Sequence, residues 1–165
     1  LDNDGGNITA DTLDITARQL SNREGVLQQR GEAALTLAHQ DGIDNRGGII
    51  ANAGEKLTLT GASLDNQQGR IQANALAIDT ATRSINNQQG ILTASREMML
   101  HSGGLNNDAG LVQAGSALNI DLHGGALSNR DSGENGGLLS FAFQIIKANM
   151  TGDTPDSGGA VDVRL

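Results

Sequence analysis

The chain has 165 residues, of which 37% are hydrophobic, and its formal net charge is −8 at pH 7. This acidic balance argues against binding to nucleic acid, which needs a basic surface, and against attraction to anionic lipid. The sequence has no cysteine, no long apolar span and only two aromatic residues, Phe141 and Phe143. We therefore expect neither a disulfide scaffold nor membrane insertion.

A short motif recurs seven times: an aliphatic residue, then asparagine two positions later, then glycine three positions after that. The copies begin 19 to 23 residues apart, about 21 on average. The aliphatic residues are Leu1, Leu20, Ile43, Leu64, Ile85, Leu105 and Leu127. The asparagines are Asn3, Asn22, Asn45, Asn66, Asn87, Asn107 and Asn129. The glycines are Gly6, Gly25, Gly48, Gly69, Gly90 and Gly110, and the seventh copy has Ser132 instead. A repeat of this period is the signature of a solenoid.

Beyond the glycine, each of the first six copies continues with alternating apolar positions. One aliphatic residue lies seven positions after the start of the copy, and a pair with one residue between its members follows. These pairs are Leu13/Ile15, Leu35/Leu37, Leu57/Leu59, Leu76/Ile78, Met98/Leu100 and Leu118/Ile120. An apolar spacing of two, interrupted by Gly, Asn, Asp and Ser, indicates three short strands joined by turns in each copy.

One such unit is too small to fold alone, because its few aliphatic groups do not offset the entropy of fixing about 21 residues. Stacking equivalent positions about 4.8 Å apart supplies hydrogen bonds on both edges of each strand and buries like side chains on like. The sequence therefore predicts an all-β parallel β-helix of about six to seven coils, in which Leu64 stacks on Ile43 and Ile85.

The asparagine column has two explanations. If the side chain points into the turn, each amide donates to one neighbouring coil and accepts from the other, which forms a continuous ladder. Alternatively, asparagine simply tolerates the left-handed conformation of a turn. We favour the ladder, because all seven copies keep asparagine where glycine or aspartate would also turn. The glycine column marks either a positive-φ position or a crowded wall where a Cβ would clash.

The three histidines are the candidates for metal or proton chemistry. His39, His101 and His123 each lie four residues before the next copy, so we expect His101 and His123 in successive coils, about 5 Å apart. Stacked imidazoles can bind a metal or respond to pH. No third ligand repeats with them, however, and exposed turn residues are the favoured interpretation.

Other polar motifs are interpreted as turns. Residues 2–6, DNDGG, resemble the start of a calcium loop but lack the acidic ligand that ends an EF-hand loop. The Gly-Gly pairs lack the Lys-Ser/Thr of a phosphate-binding loop, and no nucleophile-elbow motif is present. We therefore predict no catalytic residue, no cofactor and no metal site.

The repeats organise residues 1–140 as one β-helix segment, with an insertion near residues 28–33 and loss of the pattern after Asn129. Residues 141–150, FAFQIIKANM, form an apolar run that is a cap over the end of the helix, a divergent coil or an artefact of where the gene model ends. Residues 151–165 are rich in Gly, Asp and Ser and predict a flexible tail. Because Leu1 begins in mid-pattern, without a signal peptide, we expect a fragment of a longer array.

The motif L-x-N-x-x-G-x-I-x-A followed by L-x-I, repeated about every 20 residues, resembles the filamentous haemagglutinin repeat of two-partner-secretion exoproteins. That family includes adhesins and contact-dependent inhibition exoproteins. The resemblance implies a right-handed β-helix, and a rod secreted to the outer surface of a Gram-negative cell. It also implies an outer-membrane partner transporter during export, and allows a protein or glycan receptor on another cell.

Three function classes follow. The first is a structural and adhesive shaft, which we favour, and the second is the stalk of a contact-dependent growth inhibition exoprotein that delivers a toxin. The third is a β-helical polysaccharide-degrading enzyme. Such enzymes need clustered carboxylates and usually aromatic sugar platforms. Tryptophan and tyrosine are absent and no acidic cluster repeats between the last aliphatic pair, so we do not expect an enzyme.

Overall fold

The structure, a computed structural model, describes residues 1–130 and, beyond them, the backbone of strands at 138–141, 144–146 and 161–164. The described residues form short strands and contain no helix. In chain order the strands are β1 (Asn7–Ala10), β2 (Leu20–Ser21), β3 (Val26–Gln29), β4 (Leu35–His39), β5 (Ile43–Asp44), β6 (Ile49–Asn52), β7 (Leu57–Gly61), β8 (Leu64–Asp65), β9 (Arg70–Ala73), β10 (Leu76–Asp79), β11 (Ser84–Asn86), β12 (Ile91–Ala94), β13 (Glu97–His101), β14 (Gly104–Asn106), β15 (Leu111–Ala114), β16 (Ala117–Asp121), β17 (Leu127–Ser128), β18 (Leu138–Phe141), β19 (Gln144–Ile146) and β20 (Val161–Arg164).

The strands form three sheets, because the chain winds so that equivalent strands of successive coils lie side by side. The first sheet has the order β1-β3-β6-β9-β12-β15-β18-β19, the second β20-β16-β13-β10-β7-β4, and the third β17-β14-β11-β8-β5-β2. Pairing between successive coils is parallel throughout, whereas β18 and β19 pair antiparallel. The predicted parallel β-helix, with a period of about 21 residues, is therefore confirmed.

The register places like residues over like residues, as the repeat predicts. In the third sheet, Leu64 pairs with Ile43 on one side and Ile85 on the other. In the first sheet, Ile71 pairs with Ile50 and Leu92. Each column is then a stack of aliphatic side chains, which are almost completely buried. The three sheets thus enclose a narrow, filled core that consists mainly of Leu, Ile, Val and Ala side chains.

The first copy departs from the expected three strands. Leu13 and Ile15 are only partly buried and pack against the core without forming a strand. Leu1 is 43% exposed, and Asp2 makes a single isolated bridge to Ser21. Within the described residues, the first strand of this copy, β1, pairs with β3 of the second copy.

The assignments beyond residue 130 remain predictions. Most of the proposed cap or divergent coil at 141–150 and of the proposed tail at 151–165 lies outside the described residues. Within them, β19 pairs with β18, and β20 pairs in parallel with β16 at the end of the second sheet. Among the described residues, no helix has the length and apolar character needed to cross a membrane.

Candidate functional site

The asparagine corner is the turn that runs from the repeated Asn to the repeated Gly and joins the third sheet to the first. Its seven amides form one line of hydrogen bonds, in which Nδ2 of each asparagine donates to Oδ1 of the next at 2.6 to 2.8 Å. The same Nδ2 group also donates to main-chain carbonyls, as Asn22 does to Gly25 at 3.2 Å and to Ile49 at 3.1 Å. The five asparagines of the middle coils, from Asn22 to Asn107, are fully buried. The ladder thus satisfies amides that have no access to water.

The residue of this turn that has a left-handed backbone conformation is not the asparagine. Positive φ angles of 53–55° occur at Glu24, Gln68, Gln89 and Ala109, each directly before the repeated glycine. The asparagines are not among the positive-φ residues of the described chain. Tolerance of a left-handed conformation therefore does not account for asparagine at its position.

The repeated glycine lies where the main chain passes close to the neighbouring coil. A Cβ on Gly48 would contact the main-chain oxygen of Asn22 and lie only 2.8 Å from Asn45 Oδ1 and 2.9 Å from Asn22 Nδ2. Gly25, Gly69, Gly90 and Gly110 have equivalent surroundings, and none of them has a positive φ. Crowding against the amide ladder is therefore the reason for glycine here.

The outer rim of this corner carries charge in the first three coils. Asp4 accepts hydrogen bonds from Ser21 Oγ at 2.6 Å and from Arg23 Nε at 2.7 Å, and these bonds lower the pKa of Asp4 to about 2. Burial alone would raise the pKa of Asp44, but hydrogen bonds from Arg46 outweigh burial and lower it. Because Ser21 and Arg23 donate hydrogen bonds to the Asp4 carboxylate, the turn at residues 2–6 is fixed to the neighbouring coil.

The histidine cluster consists of Asp79, His101, Asp121 and His123 on the outer edge of the second sheet. The first three occupy one column, since His101 pairs with Asp79 in one neighbouring strand and with Asp121 in the other. His123 follows Asp121 by two residues in the turn to the third sheet and has a φ of 50°. Its main-chain N–H donates to Asp121 Oδ1 at 3.1 Å, which holds the turn against the column.

The two imidazoles of the cluster are in contact, as their spacing in the sequence predicts. Their ring centroids lie 4.1 Å apart and their planes are nearly perpendicular, at 82°. His101 Nε2 faces His123 Nε2 directly, and His101 Nδ1 lies 3.0 Å from Asp79 Oδ1. This hydrogen bond to His101 is the main reason that the pKa of Asp79 is lowered.

His39 was expected to be an exposed turn residue, and this expectation is wrong. It is buried, with 1% of its surface exposed, because it lies one register position beyond the column that holds His101. Its Nδ1–H donates to the main-chain oxygen of Ala17 at 2.8 Å. Its Nε2 is buried without a hydrogen-bond partner in the described structure. His39 therefore belongs to the core and not to the cluster.

Sequence reasoning missed the two aspartates of the cluster. Asp79 and Asp121 lie directly after the last aliphatic pair of their copies and not between its two members. All three histidines lie at the same distance from the next copy, and this equal distance hides the longer turn in the coil of His123. The detectable signal was an Asp at the same offset after Ile78 and Ile120, with a His after Leu100 between them.

The sequence profile of the haemagglutinin repeat family matches residues 1–47, 38–83 and 72–164. This chain belongs to the haemagglutinin repeat family. A curated relative, Toxin CdiA of Yersinia pestis, is 31% identical over 124 residues. That match covers 75% of this chain and 4% of the relative, so the chain spans only a small part of that protein's length. No solved structure matches the chain at a significant level.

Haemagglutinin repeats of this filamentous type identify the chain as a segment of a two-partner-secretion exoprotein. Exoproteins of this class are exported with an outer-membrane transporter as their partner. The repeat family and the solenoid point to a structural or adhesin segment.

Proposed function

We propose that the chain is part of the shaft of a large exoprotein on the outer surface of a Gram-negative bacterium. The shaft extends from the cell and contacts host or neighbouring cells. The observation that carries this proposal is the register of the coils, which continues from Asn3 to Asn129 without a slip. Each added coil lengthens such a solenoid by about 4.8 Å, so the number of repeats sets its reach.

The chemistry of the corner suits export followed by folding outside the cell. Stability comes from stacked aliphatic columns and buried amides, and the chain has no cysteine. A chain without cross-links can pass unfolded through a narrow transporter and can fold coil by coil as it emerges. The outer-membrane partner transporter is therefore the first partner in this proposal.

The surface for a receptor, if the segment itself binds one, is the outer face of the second sheet. A shallow depression of about 540 Å³ lies there, and its lining includes Thr58, Thr60, Met99 and Asn119. Met99 is 56% exposed, whereas most large apolar side chains of the described residues are buried. A protein or a glycan is the class of receptor that fits such an open polar and apolar face.

A second candidate is the stalk of a contact-dependent growth inhibition exoprotein. It is favoured by the identity of 31% to a protein named Toxin CdiA. The stalk and the adhesive shaft require the same rod and differ in what the rod delivers. The two functions are therefore distinguished by the behaviour of the parent exoprotein toward other cells.

The test is deletion of residues 64–104 from the parent exoprotein, which removes two whole coils. Leu105 then follows Ser63 and takes the place of Leu64 beside Ile43, so that Asn107 rejoins the ladder at Asn45. We expect secretion and surface display to be unchanged, with a rod shorter by about 10 Å. The control deletion of residues 64–75 removes only part of a coil, breaks the register and should abolish display.

Two readouts on the displayed proteins separate the functions. Loss of adhesion to a cultured cell layer with display intact supports a receptor site in residues 64–104, whereas adhesion that survives the whole-coil deletion supports a shaft that only sets the reach of a site elsewhere. Loss of display after the whole-coil deletion contradicts the shaft. Inhibition of co-cultured bacteria that lack immunity, caused by the intact parent, selects the toxin stalk. Adhesion without such inhibition selects the adhesive shaft.

A further inference from the structure

We propose that the histidine cluster binds one divalent transition-metal ion, with zinc as the best fit, through His101, His123 and Asp121. This proposal does not rest on the proposed function. These three side chains each offer one ligand atom, and the three atoms lie within 4.8 Å of one another. Ligands of tetrahedral zinc lie about 2.0–2.1 Å from the ion and hence about 3.3 Å from each other. Small rotations of the side chains bring the cluster to that geometry.

The facing imidazole nitrogens are the first reason for a metal ion. His101 Nε2 and His123 Nε2 point at each other in direct contact. Two lone pairs that face each other repel, and the contact is satisfied either by one proton shared between the two nitrogens or by a cation. A cation accepts both lone pairs and requires only a small separation of the rings. Both rings are partly exposed, at 35% and 46%, so they have room to separate.

Asp79 is the second reason, because it orients His101 for this role. Its Oδ1 lies 3.0 Å from His101 Nδ1, and a proton on Nδ1 leaves the lone pair on Nε2 toward His123. Histidines that bind metals commonly donate their other ring N–H to a carboxylate, which fixes the tautomer and raises the basicity of the ligand. Asp79 is therefore a positioning residue and not a ligand.

The charge and the donor types select the ion. Two neutral imidazoles and one carboxylate are the donor set that zinc, copper and nickel prefer, whereas calcium and magnesium prefer oxygen ligands throughout. Three members of the cluster line the depression on the outer face of the second sheet, and the remaining lining side chains, such as Thr58 and Asn119, carry no charge. Asp79 and Asp121 add two acidic side chains to the cluster, which favours a cation there. Three protein ligands leave a fourth position open to water or to a donor from another molecule.

The experiment is titration of the full chain with zinc chloride by isothermal calorimetry, with the same titration of variants. We expect one ion per chain with a micromolar or lower Kd. His101→Ala, His123→Ala and Asp121→Asn should each weaken binding by at least about 10-fold, and Asp79→Asn should weaken it by about 10-fold through loss of orientation. Asp14→Asn, an exposed carboxylate outside the cluster, should leave the affinity unchanged. Circular dichroism confirms that each variant retains its β-structure.

Nuclear magnetic resonance of the imidazole protons supplies an independent readout. Zinc should shift the ring signals of His101 and His123 and leave those of the buried His39 unchanged. Titration with magnesium and calcium should move none of them. The proposal is overturned if no heat and no shift appear at micromolar zinc, because the contact is then a shared proton between two imidazoles. It is also overturned if the double variant H101A/H123A binds zinc as tightly as the parent.

Discussion

The asparagine corner and the opposite turn, which carries the histidine cluster, both recur once in each coil. They differ in how constant their length is from coil to coil. In the asparagine corner the distance from Asn to Gly is three positions in all six complete copies. In the opposite turn the path from Ile78 to Ile85 takes seven positions, and the path from Leu100 to Leu105 takes five. One corner of the solenoid is therefore constant, and the other accepts insertions.

The physical reason lies inside each turn. The asparagine corner is filled by amides that bond across every coil, and by main chain packed so closely that only glycine fits. An extra residue there would break the line for both neighbouring coils. The buried position of the opposite turn is His39, Thr80, Ser102 or Leu122 in different coils, so no common interaction is lost when its length changes. The asparagine corner therefore stabilises the stacking of the coils, whereas the opposite turn can carry different side chains, such as the histidine cluster, without loss of a shared interaction.

The comparison is tested most strongly by Gly48→Ala, paired with Gly47→Ala. A methyl group at Gly48 meets the ladder and the crossing main chain, and we expect it to destabilise the fold by about 3 kcal/mol. Gly47 has a φ of 63° and only ordinary contacts, so alanine there should cost about 1 kcal/mol. Urea denaturation measures both. Equal losses in the two variants would contradict crowding as the reason for glycine at position 48.

Asn87→Ala, paired with Asn86→Ala, tests the ladder itself. Removing the Asn87 amide leaves Asn66 Nδ2 without its ladder acceptor and Asn107 Oδ1 without its donor, and we expect a loss of about 2–3 kcal/mol. The Asn86 side chain accepts only a local bond from Gln88 N at 3.3 Å, so its removal should cost less than about 1 kcal/mol. A midpoint of thermal unfolding that is nearly the same in the two variants would contradict a stabilising role of the ladder.

Lowering the pH distinguishes the contribution of the ladder to stability from that of the charged residues on the outer rim of the asparagine corner. The ladder is uncharged, whereas the pKa of Asp4 falls from 3.8 to about 2 in the folded chain. A lowered folded pKa means that stability is fully present above pH 3.8 and is lost as the pH falls toward 2. Asp4→Asn should therefore reduce the fall of the unfolding midpoint between pH 4 and pH 2. Asn87→Ala should leave that fall unchanged, and a flattening by Asn87→Ala would argue against an uncharged ladder.

The smallest effect is expected from shortening the variable turn. Deletion of Ala81 and Thr82 reduces the path from Ile78 to Ile85 to five positions, the length that other coils already use. We expect a change in unfolding free energy of less than about 1 kcal/mol, since loop length has a weak effect on stability. The matched deletion of Gln88 and Gln89 from the asparagine corner should prevent cooperative folding. Similar effects of the two deletions would remove the distinction between the corners.

Much of the fold follows from the repeat in the sequence. A period of about 21 residues with alternating apolar positions allows few ways to bury aliphatic groups other than stacking, so the register of Leu64 with Ile43 and Ile85 was predictable. The adjacency of His101 and His123 followed from the same reasoning. The absence of a strand at Leu13 and Ile15 was not predicted, because the alternating pattern there is the same as in the copies that do form a strand.

The sequence by itself determined the stacking, the line of asparagines and the neighbouring histidines, because these depend only on equal spacing between copies. The tertiary structure alone decided which residues meet where that spacing is unequal. It placed Asp121 beside His101 and buried His39 one register position away. The reason is that a turn with two extra residues moves its side chains relative to the columns, and only the folded path of the main chain shows where they come to lie.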